Sequence, residues 1–526
     1  MADFKAPVDD ILRTQKLLSE GWGDEMFDAD ISATIISEFA KFAEQEIAPL
    51  NMGGDATGCR LTETGVKMPD EFKPAFAMLA AGGWQGLSVS QTFGGMGLDK
   101  LTAAGISEIF SASCHALQMV CNLVPGAVEI LERYGTDDQK HRLIPPMAEG
   151  RWLSTMCLTE PEAGSDLSNI RCSATDTDGQ WRITGEKIFI SGGDQDLSES
   201  ILHFVLARTG PREQGLSALS LFAVPKHIDG TPNQISILRL EEKLGIHASP
   251  TCHMRFDGAQ AELVGEIGAG LAVMFTLMNH ARIDVALQGV AHAQHAYRLS
   301  ADYAAERIQG RDKDKRPARL NQHDDVRRML NEQRILAVGG RAMCYYTLGI
   351  LAQNSAPDLA DFLTPLCKVF CSEAGIKSAD LGIQIFGGYG YLKEYGIEQI
   401  WRDARITAIY EGANGIHARS MVTRNLRLGQ GKAADSFAEM LTSFCADTPH
   451  LQQRIKRWHE VRHIIEESQN PEAYGHDFTQ LSSYLFFHAI CHYLSRQPEG
   501  KELVGTELLD TLETMTWPVR ADWLAH

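Results

Sequence analysis

The hydrophobic period of the chain changes twice, and this constrains its fold more than any other feature. From about Met156 to Val273 the apolar residues come in short β-rich runs: Trp181-Arg182-Ile183-Thr184, Lys187-Ile188-Phe189-Ile190, Ile201-Leu202-His203-Phe204-Val205-Leu206 and Leu219-Ser220-Leu221-Phe222-Ala223-Val224. Turn signals such as Asp178-Gly179 and Ser191-Gly192-Gly193 separate them, so a small all-β domain is expected here. Both flanks read helical. Asp28 and Asp30 are placed to cap a segment carrying Ile31, Ile35, Phe39, Phe42 and Ile47 at helical spacing. Gly82-Gly83-Trp84 and Gly94-Gly95-Met96-Gly97 break this first region, and neither follows a strand as a dinucleotide fingerprint requires. The helical pattern returns after Gly270 and runs to about Leu428, interrupted by Arg311-Asp312-Lys313-Asp314-Lys315-Arg316-Pro317, a mixed-charge run read as a solvated loop. Gly429-Gln430-Gly431-Lys432 reads as a linker, and the rest is helical with breaks at Gln469-Asn470-Pro471 and Arg496-Gln497-Pro498-Glu499-Gly500. The expected class is mixed and mainly α, in four blocks: 1–155 helical, 156–272 β, 273–430 helical and 431–526 additional helices.

Composition narrows the function classes. A net charge of -19 and a pI near 5.4 argue against a chain whose main task is coating nucleic acid. With 44% hydrophobic and 22% charged residues, the chain has an ordinary soluble composition. No apolar run reaches the length of a membrane span, and Met1-Ala2-Asp3-Phe4-Lys5 has no apolar signal core, so no membrane partner is expected. The 11 cysteines are scattered without a CxxC pair, which suits a reducing cytoplasm. Cys367 and Cys371 share a helix face with no histidine pair nearby; core packing is the expected role, and no metal site is expected.

Four stretches can carry chemistry. In Ile409-Tyr410-Glu411-Gly412-Ala413-Asn414-Gly415 a carboxylate lies between an aromatic ring and small residues. Partial desolvation there can raise its pKa toward that of a working base. Met156-Cys157-Leu158-Thr159-Glu160-Pro161-Glu162-Ala163-Gly164-Ser165-Asp166 offers hydroxyls and backbone N–H groups with little bulk, suited to a polar heterocycle rim or a thioester tail, and equally to a capping turn. Phe189 and Ser191 are two apart at the end of a β run, so on a regular strand they share a face, one to stack on a ring and one to bond its edge. Gln384-Ile385-Phe386-Gly387-Gly388-Tyr389-Gly390-Tyr391 lets an adenine or phosphate approach the backbone, although a plain loop after a helix reads the same way.

Together these stretches resemble the acyl-CoA dehydrogenase family over about residues 20–428. Thr159–Asp166 is similar to its flavin-loop signature, and Gln384–Gly388 with Arg402-Asp403-Ala404 and Ile409–Gly412 is similar to its C-terminal signature. Ala6-Pro7-Val8-Asp9-Asp10, Lys187–Ser191 with Gly193-Asp194, Lys243–His247 with Ser249-Pro250-Thr251, and the extra C-terminal block resemble the enlarged 3-methylmercaptopropionyl-CoA dehydrogenase-like subgroup. The resemblance implies an N-terminal helical domain, a middle β-barrel-like domain, a C-terminal four-helix bundle and an extra C-terminal helical domain. It implies FAD bound between the β domain and the C-terminal helices. Leu158 and Thr159 would meet the flavin's pyrimidine side, and Phe189 and Ser191 its other edge. Arg307, Gln384, Gly387 and Gly388 would reach the FAD of a neighbouring subunit, in a homodimer or homotetramer, and Ala413 and Asn414 again touch FAD. Ser165, Arg282 and Gly412 would hold the CoA thioester ligand. Glu411 would be the catalytic base for α,β-dehydrogenation, its backbone N–H helping to stabilise the thioester oxygen. Electron-transfer flavoprotein is the implied acceptor.

The sequence departs from the family pattern in places. Arg307-Ile308-Gln309-Gly310-Arg311 lacks the usual Phe-Gly, His323-Asp324 stands near an expected Gln, and Ala413 and Gly415 replace Thr and Gln. Single FAD contacts are thereby in question. Ala281 occupies the place of an alternative base found in some members and cannot act as one, which leaves Glu411 unopposed. Two other readings stand beside this one. A DNA-associated flavoprotein branch carries a basic C-terminal domain, whereas block 433–526 has 14 acidic and 7 basic residues. Arg454, Lys456, Arg457 and Arg462 cluster there and are read as a solvated helix face. An acyl-CoA oxidase differs only in how oxygen reaches the reduced flavin. The stripe Tyr484-Leu485-Phe486-Phe487-Ile490 is expected to be core.

Overall fold

The computed structural model describes residues 4–20, 22 and 26–519. It divides into two compact units, one of Met1–Ala43, Asp99–Ala112 and Arg282–His526, the other of Glu44–Leu98 and Ser113–Ala281.

The second unit contains the β domain. Thr251–Val264 pairs with Gln180–Ser191, which pairs with Ser173–Thr177; that strand bridges Ser200–Arg208, which pairs with Leu219–Pro225, and Leu219–Pro225 returns to Thr251–Val264. The hydrogen bonding thus closes a five-stranded ring, which leaves few unpaired edges. Ile235–Leu240 pairs onto Thr251–Val264, and Trp152–Cys157 runs parallel to Ser200–Arg208. Ser200–Arg208 is buried at every position, as its unbroken apolar run requires. The two runs around Lys187 are one strand rather than two. Gly185, at φ +145 with Cys172 Cα 2.7 Å from where a Cβ would be, lets Gln180–Ser191 continue in register opposite Phe256, and the neighbouring bulge is on the facing strand at Gly258, between Asp257 and Ala259. A hairpin, Arg60–Thr62 with Gly65–Lys67, lies in the region read as wholly helical; Asp194 Oδ2 accepts from Val66 N at 2.8 Å.

The first unit is helical. Asp28 caps Ala29–Phe42, its carboxylate accepting from Asp30 N and Ile31 N. Within this unit the buried stripe is Ile36, Phe39, Ala40 and Ala43, while Ile31 is 51% exposed, so the apolar face is displaced from the expected one. Helices Gly270–Glu306 (from residue 282 on), Asp324–Gln353 and Pro357–Phe386 form the bundle. Gly289 and Gly375 let two of them meet backbone to backbone: a Cβ on Gly289 would lie 2.2 Å from Cys371 O, and one on Gly375 2.7 Å from Gly289 O. Cys371 Sγ lies 3.7 Å from Cys344 Sγ in this core. Asp324–Gln353 is long and apolar enough to cross a membrane, which the sequence reading passed over, and 78% of that window is buried in protein. Arg311–Pro317 is solvent-exposed as expected and forms the end of a hairpin. Ile308–Arg311 pairs with Pro317–Arg319, and Asp312 Oδ1 closes the turn by accepting from Asp314 N and Arg316 N.

The C-terminal helices Lys432–Phe444, Pro449–Glu467 and Gly475–Arg496 pack into the same unit. Leu485, Phe486, Phe487 and Ile490 are buried; Phe487 packs tilted against Phe370 with ring centroids 4.4 Å apart and fills the space left by Gly339. Of the four cationic residues expected on a solvated helix face, Lys456 is exposed, whereas Arg454, Arg457 and Arg462 are half-buried. Arg454 lies 4.1 Å over Trp517, Arg462 pairs with Asp435 and Glu466, and Arg457 pairs with Glu460. Glu513 links two more helices by accepting from His450 and His492, each at 2.8 Å.

Candidate active site

Residues 409–413 form an irregular link between the turn Arg405–Ala408 and the helix Asn414–Thr423. Glu411 has φ +54 and Gly412 φ +93. Positive φ is costly for a side-chain-bearing residue and persists only where the surroundings enforce it. Position 412 must be glycine, because a Cβ there would lie 2.8 Å from His417 Nε2. Four contacts hold the loop. Tyr410 donates its hydroxyl to Gln288. His417 Nε2 lies 3.1 Å from Glu411 O. Lys368 Nζ donates to Gly412 O at 2.7 Å and to Asn414 Oδ1 at 2.9 Å. Burial, then the charges of Arg282 and Lys368, push His417 down to about 3, so its ring is neutral at physiological pH and donates Nε2–H to the carbonyl.

Glu411 as a residue is half-buried, but its Oε2 is buried and has no hydrogen-bond partner among the described residues. Desolvation pushes its pKa up to about 7; Arg282 and then Lys368 oppose the rise, and Asp284 adds to it. Lys368 is pushed down to about 7 by burial, against the pull of Glu411. A carboxylate poised near neutrality, with one buried oxygen unengaged, can take a proton from a weak carbon acid. Ile409 and Ile416, 50% and 39% exposed, place apolar surface beside it. Sequence reasoning missed Lys368, His417, Asp284 and Gln288. Lys368 had a signal: it is the lone charge in Leu366-Cys367-Lys368-Val369-Phe370-Cys371, and a lysine in such a run needs a buried partner.

Of the other expected site residues, Arg282, Gly412, Ala413 and Asn414 are in the same unit as Glu411. Arg282 is largely buried, with Glu411 the main charge sustaining its protonated form. Arg307, Gln384, Gly387 and Gly388 are exposed in that unit, and the Arg307 guanidinium lies 5.4 Å over the Tyr389 ring. Gly387 has φ +62, and neither it nor Gly388 has an atom within 4 Å of a would-be Cβ. Tyr391 beside them is 86% exposed.

Leu158, Thr159, Ser165, Phe189 and Ser191 belong to the second unit. Leu158 is buried and its carbonyl accepts from Lys187 Nζ at 2.8 Å, Thr159 is partly exposed, and Ser165 is exposed. The alternation that paired Phe189 with Ser191 does not hold. The ladder shifts between Cys252/Ile190 and Met254/Lys187, and Phe189 sits in that bulge at φ +59 with 59% of its surface exposed. A bulge re-aims a side chain. Within this unit, an aromatic ring turned out of a barrel strand can lie against a flat ring system.

Known proteins resemble this chain over most of its length. Residues 32–151, 155–259 and 268–426 match the models for the acyl-CoA dehydrogenase N-terminal, middle and C-terminal domains. The chain is 41% identical over 466 residues to 3-methylmercaptopropionyl-CoA dehydrogenase of Ruegeria pomeroyi, covering 84% of this chain and 79% of that one. Among solved structures, Caenorhabditis elegans ACDH-11 in complex with C11-CoA superposes with TM-score 0.80 at 18% identity, covering 97% of this chain and 91% of that one. Acyl-CoA dehydrogenase complexed with FAD from Bacillus anthracis gives TM-score 0.77 at 22% identity, with coverage of 95% and 88%. These fold likenesses extend over nearly the whole chain. The protein belongs to the acyl-CoA dehydrogenase family, whose members are oxidoreductases.

Proposed function

We propose that the chain is an FAD-dependent acyl-CoA dehydrogenase that converts an acyl-CoA thioester to the 2-enoyl-CoA, with Glu411 as the base. The observation that carries this is the buried Oε2 of Glu411, without a hydrogen-bond partner among the described residues, in a carboxyl whose pKa is raised to about 7. Glu411 takes the α-proton. Its backbone N–H, directed by the left-handed turn at 411 and 412, donates to the thioester oxygen where negative charge develops; one such donor is typically worth about 3–4 kcal/mol. FAD, when bound, accepts the β-hydride. Phe189 and the backbone around Leu158 and Thr159 fit its ring, and Asn414 its neighbourhood near the base. The exposed Gln384, Gly387 and Gly388 fit the cofactor of a second copy, which supports a homodimer. Arg282, buried beside Glu411, keeps the carboxylate from rising further; Ser165 fits contact with the CoA ligand. Electron-transfer flavoprotein is the acceptor and the cytoplasm the location that go with this reading.

The likeness to the Ruegeria pomeroyi enzyme supports a short thioether acyl group such as 3-methylmercaptopropionyl. The paired arginines of the C-terminal block give no support to a DNA-binding face. The test is a panel of short-, medium- and long-chain acyl-CoA thioesters together with 3-methylmercaptopropionyl-CoA, each assayed with a ferricenium acceptor and on an oxygen electrode. Dye reduction with a short thioester and negligible oxygen uptake is expected. Oxygen uptake matching turnover would make the chain an oxidase, and inertness to the whole panel would overturn the assignment.

A further inference from the structure

The C-terminal helices lie close to the strained loop. Gly475 packs on the helix that follows Glu411, where a Cβ would be 2.8 Å from Ala418 O. Arg419 on that helix donates to Glu472 at 2.8 Å. One turn further along Gly475–Arg496, Gln480 is 2% exposed. Its Nε2 donates to Glu373 Oε2 at 2.8 Å. The other oxygen of Glu373 accepts from Asn414 Nδ2 at 3.1 Å, and Ser372 Oγ lies 3.1 Å from the same Nδ2. Ser372 Oγ also lies 3.4 Å from Asn414 Oδ1, so it is Glu373, a pure acceptor, that fixes which way the Asn414 amide faces. Its Oδ1 is thereby turned to Lys368 Nζ, whose other bond holds the Gly412 carbonyl.

We propose that the C-terminal helical block is a positioning element for the catalytic loop, acting through the relay Gln480–Glu373–Asn414–Lys368 on Gly412 and Glu411. The inference rests on the reading of Glu411 as the base. Two features require such a support. The loop has positive φ at two successive residues and no regular structure of its own, so its geometry is imposed from outside. Lys368 is wholly buried, so its ammonium has no water to settle it, and it stays where its acceptors are. If Asn414 turned over, an amide donor would face the ammonium and the grip on Gly412 would be lost. The groups that bear on Glu411 are Arg282 and Asp284 from Gly270–Glu306, Lys368 from Pro357–Phe386, and the neighbouring Tyr410 and His417. Of these, Lys368 is tied to the relay through Asn414 Oδ1, and Glu373 is the charge that couples the relay to it.

The test uses the full-length FAD-bound protein. Gln480→Glu sets two carboxylates against each other and breaks the relay. The double variant Glu373→Gln with Gln480→Glu restores it with the partners exchanged, since Gln at 373 accepts from Asn414 Nδ2 and donates to Glu at 480. Gln480→Ala removes the donor without adding charge and serves if Gln480→Glu does not fold. For Gln480→Glu, kcat is expected to fall about 10- to 100-fold, the scale of a small misplacement of a reacting group. KM and FAD content should stay near wild type, and the acid limb of the kcat profile should move to higher pH as Lys368 loses its hold. The double variant should recover both kcat and the limb. Unchanged kcat and limb in Gln480→Glu and Gln480→Ala would overturn the relay, as would a loss that the exchange does not recover. Glu411→Gln run in parallel separates the two claims: if it is active, the base itself is misassigned; if it is inactive while Gln480→Glu is normal, only the relay fails.

Discussion

Two glutamates show what burial does when it is compensated and when it is not. Glu160, in the β-containing unit, is 5% exposed, and both its oxygens are engaged. Oε1 accepts from Lys187 Nζ at 2.8 Å and Cys172 N at 3.1 Å, and Oε2 accepts from Arg171 N at 2.6 Å. Glu411, in the helical unit, has a buried Oε2 with no hydrogen-bond partner among the described residues. Glu160 is therefore a structural clamp that ties its loop to a strand. Glu411 bears desolvation without full compensation, the condition that makes a carboxylate basic. Both occur in stretches that looked chemical in the sequence, and their hydrogen bonds separate them.

The largest effect that would break this contrast concerns stability. Glu160→Ala leaves the Lys187 ammonium, 0% exposed, without its counter-charge and should destabilise the protein by about 3–5 kcal/mol. A clear drop in Tm checks it; an unchanged Tm would mean that Glu160 is not a clamp. The opposite sign is expected at the other site. Glu411 has a folded pKa of about 7 against 4.5 for the free group. The folded state thus binds more protons there, and stability falls as pH rises from about 4.5 to 7. Glu411→Gln removes that loss and should raise stability at pH 8 by on the order of 1–3 kcal/mol, with little change at pH 4.5. Thermal unfolding of both proteins at the two pH values checks the sign. The smallest effect is on titration. Lys368 lowers the Glu411 pKa, so Lys368→Met should move the acid limb of kcat up by about one unit. A shift downward would contradict the assigned polarity of the pair.

Much of this was legible in the residues. Short β runs, the Asp28 cap and the Ile409–Gly412 loop are local signals, and each falls in the element or loop expected of it. What was not legible depends on partners distant in sequence. Ile31 and Ile36 are equally apolar, and only packing against elements such as Phe110, 5.8 Å from Phe39, decides which side of the helix is buried. Gly185 reads as a strand break, yet its freedom lets the strand pass close to Cys172. The Phe189 bulge comes from a register shift against Cys252 and Met254, which no alternation in one strand reveals. Gln480 reaches Glu373 across 107 positions; nothing near either residue marks the other.

The most direct measurement is anaerobic stopped-flow reduction of the bound flavin by an acyl-CoA that the wild type accepts, comparing wild type with Glu411→Gln. With FAD and acyl-CoA binding retained, the rate of flavin bleaching should fall by about 10²–10⁴ or more in the variant. Bleaching at the wild-type rate would show that the α-proton goes elsewhere and that Glu411 is not the base.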